Sequence, residues 1–280
     1  MTAPGSPLPP VGLLQAAPHW RAVDLISDLH LHHGDAGSLA SLRAYLQGGL
    51  ARQSDALIVL GDLFEVWVGD DLIDFDPATP GLDGEDVDTL LFWRDCVRLL
   101  ADHARHKPIW FMAGNRDFLL GARGLQACGM QALQDPTRLE LLGRTWLLSH
   151  GDALCLADTG YQAFRRQVRD PRWQADVLSR PLSERLALAR QLRAQSREHQ
   201  LGQPQDWADI DVPAALDWLR HAGCHTLIHG HTHRPGDNEL APGFTRVVLS
   251  DWAGHGPRPR AEVLRLDAQG WHRLSLLAVA

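Results

Sequence analysis

The chain has 280 residues, 45% of them hydrophobic, which suffices for one substantial core and does not require two full domains. A formal net charge of −7 and an isoelectric point near 6.1 exclude a protein that binds nucleic acid non-specifically over its whole surface. No apolar run approaches membrane-spanning length, so a soluble or only peripherally bound protein is expected.

The first twenty residues carry Pro4, Pro7, Pro9, Pro10 and Pro18, and no Lys or Arg precedes Arg21. This predicts a disordered leader over 1–20 and not a signal peptide. The domain proper is expected over 21–280. An apolar run at 23–26 reads as a buried strand and leads into Ser27-Asp28-Leu29-His30. A helix is predicted over 38–50. A second strand, 56–60, ends at Gly61-Asp62. Residues 65–88 hold nine acidic side chains and no basic one, with Pro77, Pro80, Gly81 and Gly84 nearby. The expectation there is a solvated surface loop. A helix follows over 89–103, then a strand over 108–113 that ends at Gly114-Asn115-Arg116-Asp117. The strand at 145–148 leads into Ser149-His150-Gly151-Asp152.

Residues 161–198 read as helical, with nine Arg against four acids and an apolar set that includes Val168, Trp173, Val177, Leu178, Leu182, Leu186, Leu188 and Leu192. Part of this reads as ordinary helix chemistry, since Glu184, four residues from Arg180, could pair with it on an exposed helix face. A basic, apolar cap beside a phosphate site would also suit an amphipathic substrate or an anionic membrane surface. The residues alone leave that choice open against simple helix packing. The last strand-and-motif unit is 226–228 with Gly230-His231-Thr232-His233, and closing strands are predicted within 245–251 and 262–276. Cys96, Cys128, Cys155 and Cys224 are scattered without C-x-x-C spacing and read as reduced thiols in the packing. The alternation predicts an α/β fold, a layered β-sandwich flanked by helices and carrying a helical cap at about 156–220.

Taken singly, Asp-x-His and Gly-Asp are common turn chemistry, and Gly-Asn-Arg-Asp is compatible with a helix N-cap. Five such motifs, each after an apolar run, are hard to ascribe to turns. Strand ends in an α/β sheet carry function. Here they would assemble Asp28, His30, Asp62, Asn115, His150, His231 and His233, the donor types of a two-metal hydrolytic site. Carboxylates, imidazoles and one amide favour two Mn²⁺ ions over a thiolate-seeking metal. Asp62 is the natural bridge and a catalytic residue. Arg116 beside Asn115 is placed to grip a phosphate oxygen and act in catalysis. Asp117 and Asp152 are expected to orient ligands from behind. His32 and His33 read as loop residues.

The motif order resembles the calcineurin-like metallophosphoesterase superfamily (D-x-H, G-D, G-N-x-D/E, H-G-D, G-H-x-H). The longer stretches GDLFEVWVGDD (61–71), GNRDFLLG (114–121), HGDALC (150–155) with Asp158, Tyr161 and Gln162, and IHGHTHRP (228–235) resemble one family within it, the UDP-2,3-diacylglucosamine diphosphatases of lipid A biosynthesis. That resemblance covers about residues 22–274. It implies one metal on Asp28, His30, Asp62 and His233 and the other on Asp62, Asn115, His150 and His231. It implies a helical cap that holds acyl chains, substrate contacts at Asn115, Arg116, Asp158, Ser196 and His231, and release of UMP from a UDP-linked diacylated glucosamine. It also implies a peripheral protein, expected as a monomer, on the cytoplasmic face of the inner membrane. The chain departs from the family at Gln200 and Gln203, where Asn and Lys are usual, which puts those two contacts in doubt. Another dinuclear phosphoesterase would share every ligand without needing the basic insert. A non-catalytic binding module on the same fold would be marked by lost ligands, and none is missing.

Overall fold

The computed structural model describes residues 8–201, 209–255 and 259–277, the side chains of 195–201 excepted. Two six-stranded sheets stack face to face. The first runs in the order β12 (Gly270–Ser275), β11 (Glu262–Asp267), β2 (Val23–Ile26), β3 (Ala56–Leu60), β4 (Ile109–Met112), β5 (Met130–Leu133). The second runs β1 (Gly12–Gln15), β6 (Thr137–Leu141), β7 (Arg144–Ser149), β8 (Thr226–His229), β10 (Phe244–Val248), β9 (Gly236–Ala241).

The two-residue repeat of a strand explains the layering. On β2 and β3, Val23, Leu25, Ala56, Ile58 and Leu60 face the second sheet and meet Leu139, Trp146, Leu148, Ile228 and Val247. Their neighbours Ile26, Leu57 and Val59 face outward, onto α1 (Ala36–Gln47) and α3 (Gly84–Ala104), through Leu42, Tyr45, Leu90 and Trp93. Beyond the second sheet, α8 (Val212–Ala222) covers Leu147 and Leu227 with Ala215 and Leu219. The order is therefore helix, sheet, sheet, helix, and the central strands are buried on both faces, as the unbroken apolar run of β3 requires. The short α2 (Gly49–Arg52) and α4 (Ala122–Cys128) complete the frame.

Strands β2, β3 and β4 are mutually parallel, and so are β7 and β8. All five predicted motif strands are present, and their carboxyl ends lie along one edge of the sandwich. Three expectations are corrected. The leader is not disordered as far as residue 20, because Gly12–Gln15 pairs in parallel with β6 and Trp20 is buried; residues 1–7 lie outside the described residues. The insertion consists of α5 (Thr159–Val168), α6 (Pro171–Leu178) and α7 (Leu182–Leu201), and α8, which the expected cap of 156–220 had included, belongs to the core. The acidic stretch 65–88 is not a solvated loop, since Trp67, Val68, Leu72 and Phe75 are buried in the main core. Its carboxylates meet cations brought from a distance: Asp71 pairs with Arg185, Asp86 with Arg190 and Glu65 with Arg193, all three arginines on α7. Asp83 and Asp86 form the capping box of α3.

One buried ion pair fixes how the antiparallel edge joins the parallel strands. Asp24 on β2 lies opposite Arg265 on β11, takes two guanidinium bonds of 2.8 Å and accepts the Tyr45 hydroxyl at 2.7 Å. Removing one partner of such a pair leaves the other charged and poorly solvated. Asp24→Ala should lower the unfolding free energy by about 3 kcal/mol, read from urea denaturation midpoints; a midpoint unchanged from the parent chain would contradict this account of the β2–β11 junction.

Candidate metal centre

Each candidate ligand sits on the turn that ends a parallel strand, and the turns are unusually tight. Asp28, His30, Asp62, His231 and His233 all adopt positive φ, between 46° and 65°. Non-glycine residues avoid this region at a cost of about 1–2 kcal/mol each. Five such residues in one place mean that the surrounding structure dictates side-chain direction over local preference. The backbone is held by cross-links between turns. Asp28 N–H donates to the Gly61 carbonyl at 3.1 Å, His30 N–H to the Asp62 carbonyl at 3.0 Å, and Gly230 N–H to the His150 carbonyl at 3.0 Å. His231 N–H donates to the Asp28 carboxylate at 2.9 Å and Arg116 N–H to that of Asp62, also at 2.9 Å.

The side chains converge as two groups around Asp62. In one, His30 Nε2 and His233 Nε2 are 3.2 Å apart, His233 Nε2 is 3.5 Å from Asp28, and His30 Nε2 is 3.9 Å from Asp62. In the other, His150 Nε2 lies 3.7 Å from Asp62, while His150 Nε2 and His231 Nδ1 approach Asn115 Oδ1 at 3.0 and 2.8 Å. Donor atoms of Asp28, His30 and His233, and likewise of Asp28, Asp62 and His150, fall within 4.8 Å of one another.

Hydrogen bonding behind the rings supports a cation-holding role. His150 Nδ1 lies 2.8 Å from the Leu60 carbonyl, which can only accept, so in the neutral ring that a cation requires the proton belongs on Nδ1 and the Nε2 lone pair faces Asp62. Glu65 Oε2 lies 2.9 Å from His30 Nδ1 and favours the same tautomer there. Nitrogen lone pairs and carboxylate oxygens thus point at shared positions, the donor set that suits a pair of divalent ions.

Charge in the site is correspondingly uneven. Burial opposes protonation of His150, but the carboxylates of Asp62, Asp152 and Asp28 outweigh it and raise its pKa to about 9. Burial together with the positive His150 pushes His231 down to about 3. Burial disfavours the Asp28 carboxylate, yet its hydrogen bond to His233 and the charges of His233, His150 and His30 hold its pKa well below the usual range.

The two residues expected to orient ligands behave differently from each other. Asp117 is fully buried and accepts backbone N–H bonds from Gly114 and Leu63, both at 2.8 Å, and from Asp62 at 3.4 Å. It clamps the Gly61-Asp62 and Gly114-Asn115 turns together. Burial and the neighbouring Asp62 raise its pKa to about 6. Asp152 instead receives the Tyr161 hydroxyl at 2.6 Å and Arg165 Nε at 2.8 Å, and so ties the first helix of the insertion to the core.

Arg116 lines a cavity of about 380 Å³ that opens onto Asn115 and His231, and its buried Nε has no hydrogen-bond partner. The same cavity is walled by Phe118, Leu119, Phe164, Trp173, Val177 and Leu188. Asp158 reaches it too, while its carboxylate caps α5 by accepting Tyr161 N–H at 2.7 Å. Ser196 and Gln200 fall on α7, where side chains lie outside the described residues, and Gln203 is outside them altogether. His32 and His33 stay in the loop, His33 beside the Thr89 hydroxyl at 2.8 Å. The sequence offers no sign of a role for Glu65, for Arg165, or for Arg169, whose guanidinium donates to the Gly114 carbonyl at 2.9 Å. Glu65 did stand inside the 61–71 motif, but its partners are remote in sequence.

Asp117→Asn places an NH₂ or a single oxygen where the carboxylate accepts three N–H groups. It should weaken divalent-metal affinity by about 10–100-fold with the fold intact, measured by calorimetric titration of Mn²⁺; unchanged affinity would remove Asp117 from the support of the site.

Comparison with known proteins agrees with this geometry. The family model for calcineurin-like phosphoesterases matches residues 22–235. The chain is 43% identical over 257 residues to a UDP-2,3-diacylglucosamine hydrolase of Xanthomonas oryzae pv. oryzae, covering 88% of this chain and 95% of that protein. A protein of the same name from Stenotrophomonas maltophilia is 42% identical with the same coverage of both chains. Another from Xanthomonas campestris pv. campestris is 43% identical over 260 residues, again covering 88% and 95%. The matched span takes in all five strand ends that build the site, and the chain belongs to the calcineurin-like phosphoesterase family.

Proposed function

We propose that the protein hydrolyses the pyrophosphate bond of UDP-2,3-diacylglucosamine, with water attacking the phosphorus on the uridine side. The new bond joins water oxygen to that phosphorus, the bridging P–O bond breaks, and UMP leaves with 2,3-diacylglucosamine 1-phosphate as the other product. The observation that carries this reading is the cavity. Its polar end holds Asn115, Arg116 and His231, and its walls are aromatic and aliphatic. A phosphate head fits the first and acyl chains fit the second. The names of the relatives point to the same substrate.

In this reading Asp28, His30, Asp62 and His233 would hold one Mn²⁺, and Asp62, Asn115, His150 and His231 would hold the other. Two such cations, when bound, supply Lewis acidity toward the phosphoryl oxygens and lower the pKa of water. The remaining work falls to the chain. Arg116, with an unpartnered guanidinium N–H at the cavity floor, grips a phosphoryl oxygen and stabilises the charge that develops on it. Asn115 and His231 orient the head group, and Asp158 borders the sugar. Ser196, Gln200 and Gln203 are proposed contacts from the far end of α7. Helices α5 to α7 act as the cap and shield the acyl chains from water.

With a lipid as substrate, the chain is proposed to bind peripherally at the cytoplasmic face of the inner membrane; it is also proposed to work as a monomer. No helix among the described residues is long and apolar enough to cross a membrane. Leu178 on α6 and Leu156 just before α5 are about 42% exposed, apolar side chains available to a bilayer surface near the cavity.

In Mn²⁺ buffer, UMP should be released from UDP-2,3-diacylglucosamine and lost on chelation, while the de-acylated UDP-sugar and a generic phosphodiester turn over poorly. Equal turnover of the generic ester would contradict the lipid substrate. Asp62→Ala should abolish UMP release, because one carboxylate serves both metals. Arg116→Ala should lower kcat by about 10²-fold with both ions still bound, and unchanged kinetics would remove Arg116 from the reaction.

A further inference from the structure

Glu65 stands between the turn that carries His30 and helix α7. Its backbone N–H donates to the Leu31 carbonyl at 3.2 Å, and Leu31 N–H donates to the Leu63 carbonyl at 3.0 Å. These bonds extend the pairing of β2 and β3 past the strand ends and fix the carboxylate beside the His30 ring. Its two oxygens then divide. Oε2 lies 2.9 Å from His30 Nδ1, and Oε1 pairs with Arg193 of α7. The carboxylate is only 13% exposed, so the contacts are poorly screened by water. Farther along the same helix, Arg190 pairs with the buried Asp86, and Arg185 with Asp71 and the Val68 carbonyl. Of these three arginines, Arg193 is the one whose partner also touches a candidate metal ligand.

We infer that Glu65 is a positioning residue through which the seating of α7 sets the cation affinity of the His30–His233 side of the centre. With Arg193 in place, the carboxylate is held against His30 Nδ1, the proton stays there, and Nε2 keeps its lone pair toward Asp62 and His233. With α7 lifted, Glu65 loses one of its two anchors and the ring loses its fixed tautomer and direction. Linkage makes the effect reciprocal, so cation binding at this side favours the seated helix. The inference rests on the two-metal reading above.

The test is calorimetric titration of the full, metal-free chain with Mn²⁺, joined to hydrogen exchange of the α7 amides with and without the ion. The parent chain should bind two ions and show slower exchange along α7 when they are bound. Glu65→Gln should weaken one of the two ions by about 10–100-fold and leave the other unchanged. Arg193→Ala should weaken the same ion by a smaller factor, Arg193→Lys should restore it, and the double variant should bind no more weakly than Glu65→Gln alone. Parent affinity in Arg193→Ala, or α7 exchange indifferent to Mn²⁺, would overturn the coupling while leaving the centre intact. A parent chain that binds fewer than two ions would overturn the two-metal reading and this inference with it. Thermal unfolding of the metal-free variants separates either result from a loss of fold.

Discussion

A Cβ at Gly114 would strike the backbone and carboxylate of Asp62, and one at Gly230 would strike Asp28 and Ser27. These contacts set the spacing of the strand ends. Because the turns from both sheets press together without side chains between them, one turn's carboxylate can receive the next turn's backbone N–H, as Asp28 does from His231 and Asp62 from Arg116. The left-handed backbone of five of the candidate ligands follows from this crowding. It stores strain that the two packed sheets and the Asp117 clamp must outweigh. Rigid turns on a rigid sandwich hold nitrogen and oxygen donor atoms facing one another, an arrangement that bound cations would relieve.

The second level of organisation is electrostatic. The negative stretch 65–88 and the positive helix α7 are far apart in sequence and complementary in space, through Glu65 with Arg193, Asp71 with Arg185 and Asp86 with Arg190. On the opposite side of the cavity, Asp152 receives Tyr161 and Arg165 of α5. Both flanks of the insertion are therefore tied to residues that sit next to candidate ligands, Glu65 beside His30 and Asp152 two positions after His150. The apolar wall between those flanks gives the cavity its character, with Arg116 at its polar end.

Much of this was legible in the sequence because each motif strand is a short apolar run buried on both faces, and because glycine next to Asp, Asn or His marks a turn with chemistry on it. The proposed division of the ligands between two ions comes from the resemblance to a family. The failures have physical causes. The strand at Gly12–Gln15 is short, lies at a sheet edge and is embedded among prolines, so composition spoke for disorder. Residues 65–88 misled because their charges are counted locally while their partners come from α7, and because Trp67, Val68, Leu72 and Phe75 are dispersed among the acids without a simple period. The tie from Asp152 to α5 was not legible for the same reason, since Arg165 is thirteen positions away and on a different element.

Anomalous diffraction from crystals of the full chain grown with Mn²⁺ tests the central claim most directly. The account predicts two peaks about 3.5–4 Å apart, one against His30 and His233 and one against His150, His231 and Asn115, with the Asp62 carboxylate between them. A single peak, or two peaks neither of which contacts Asp62, would contradict it.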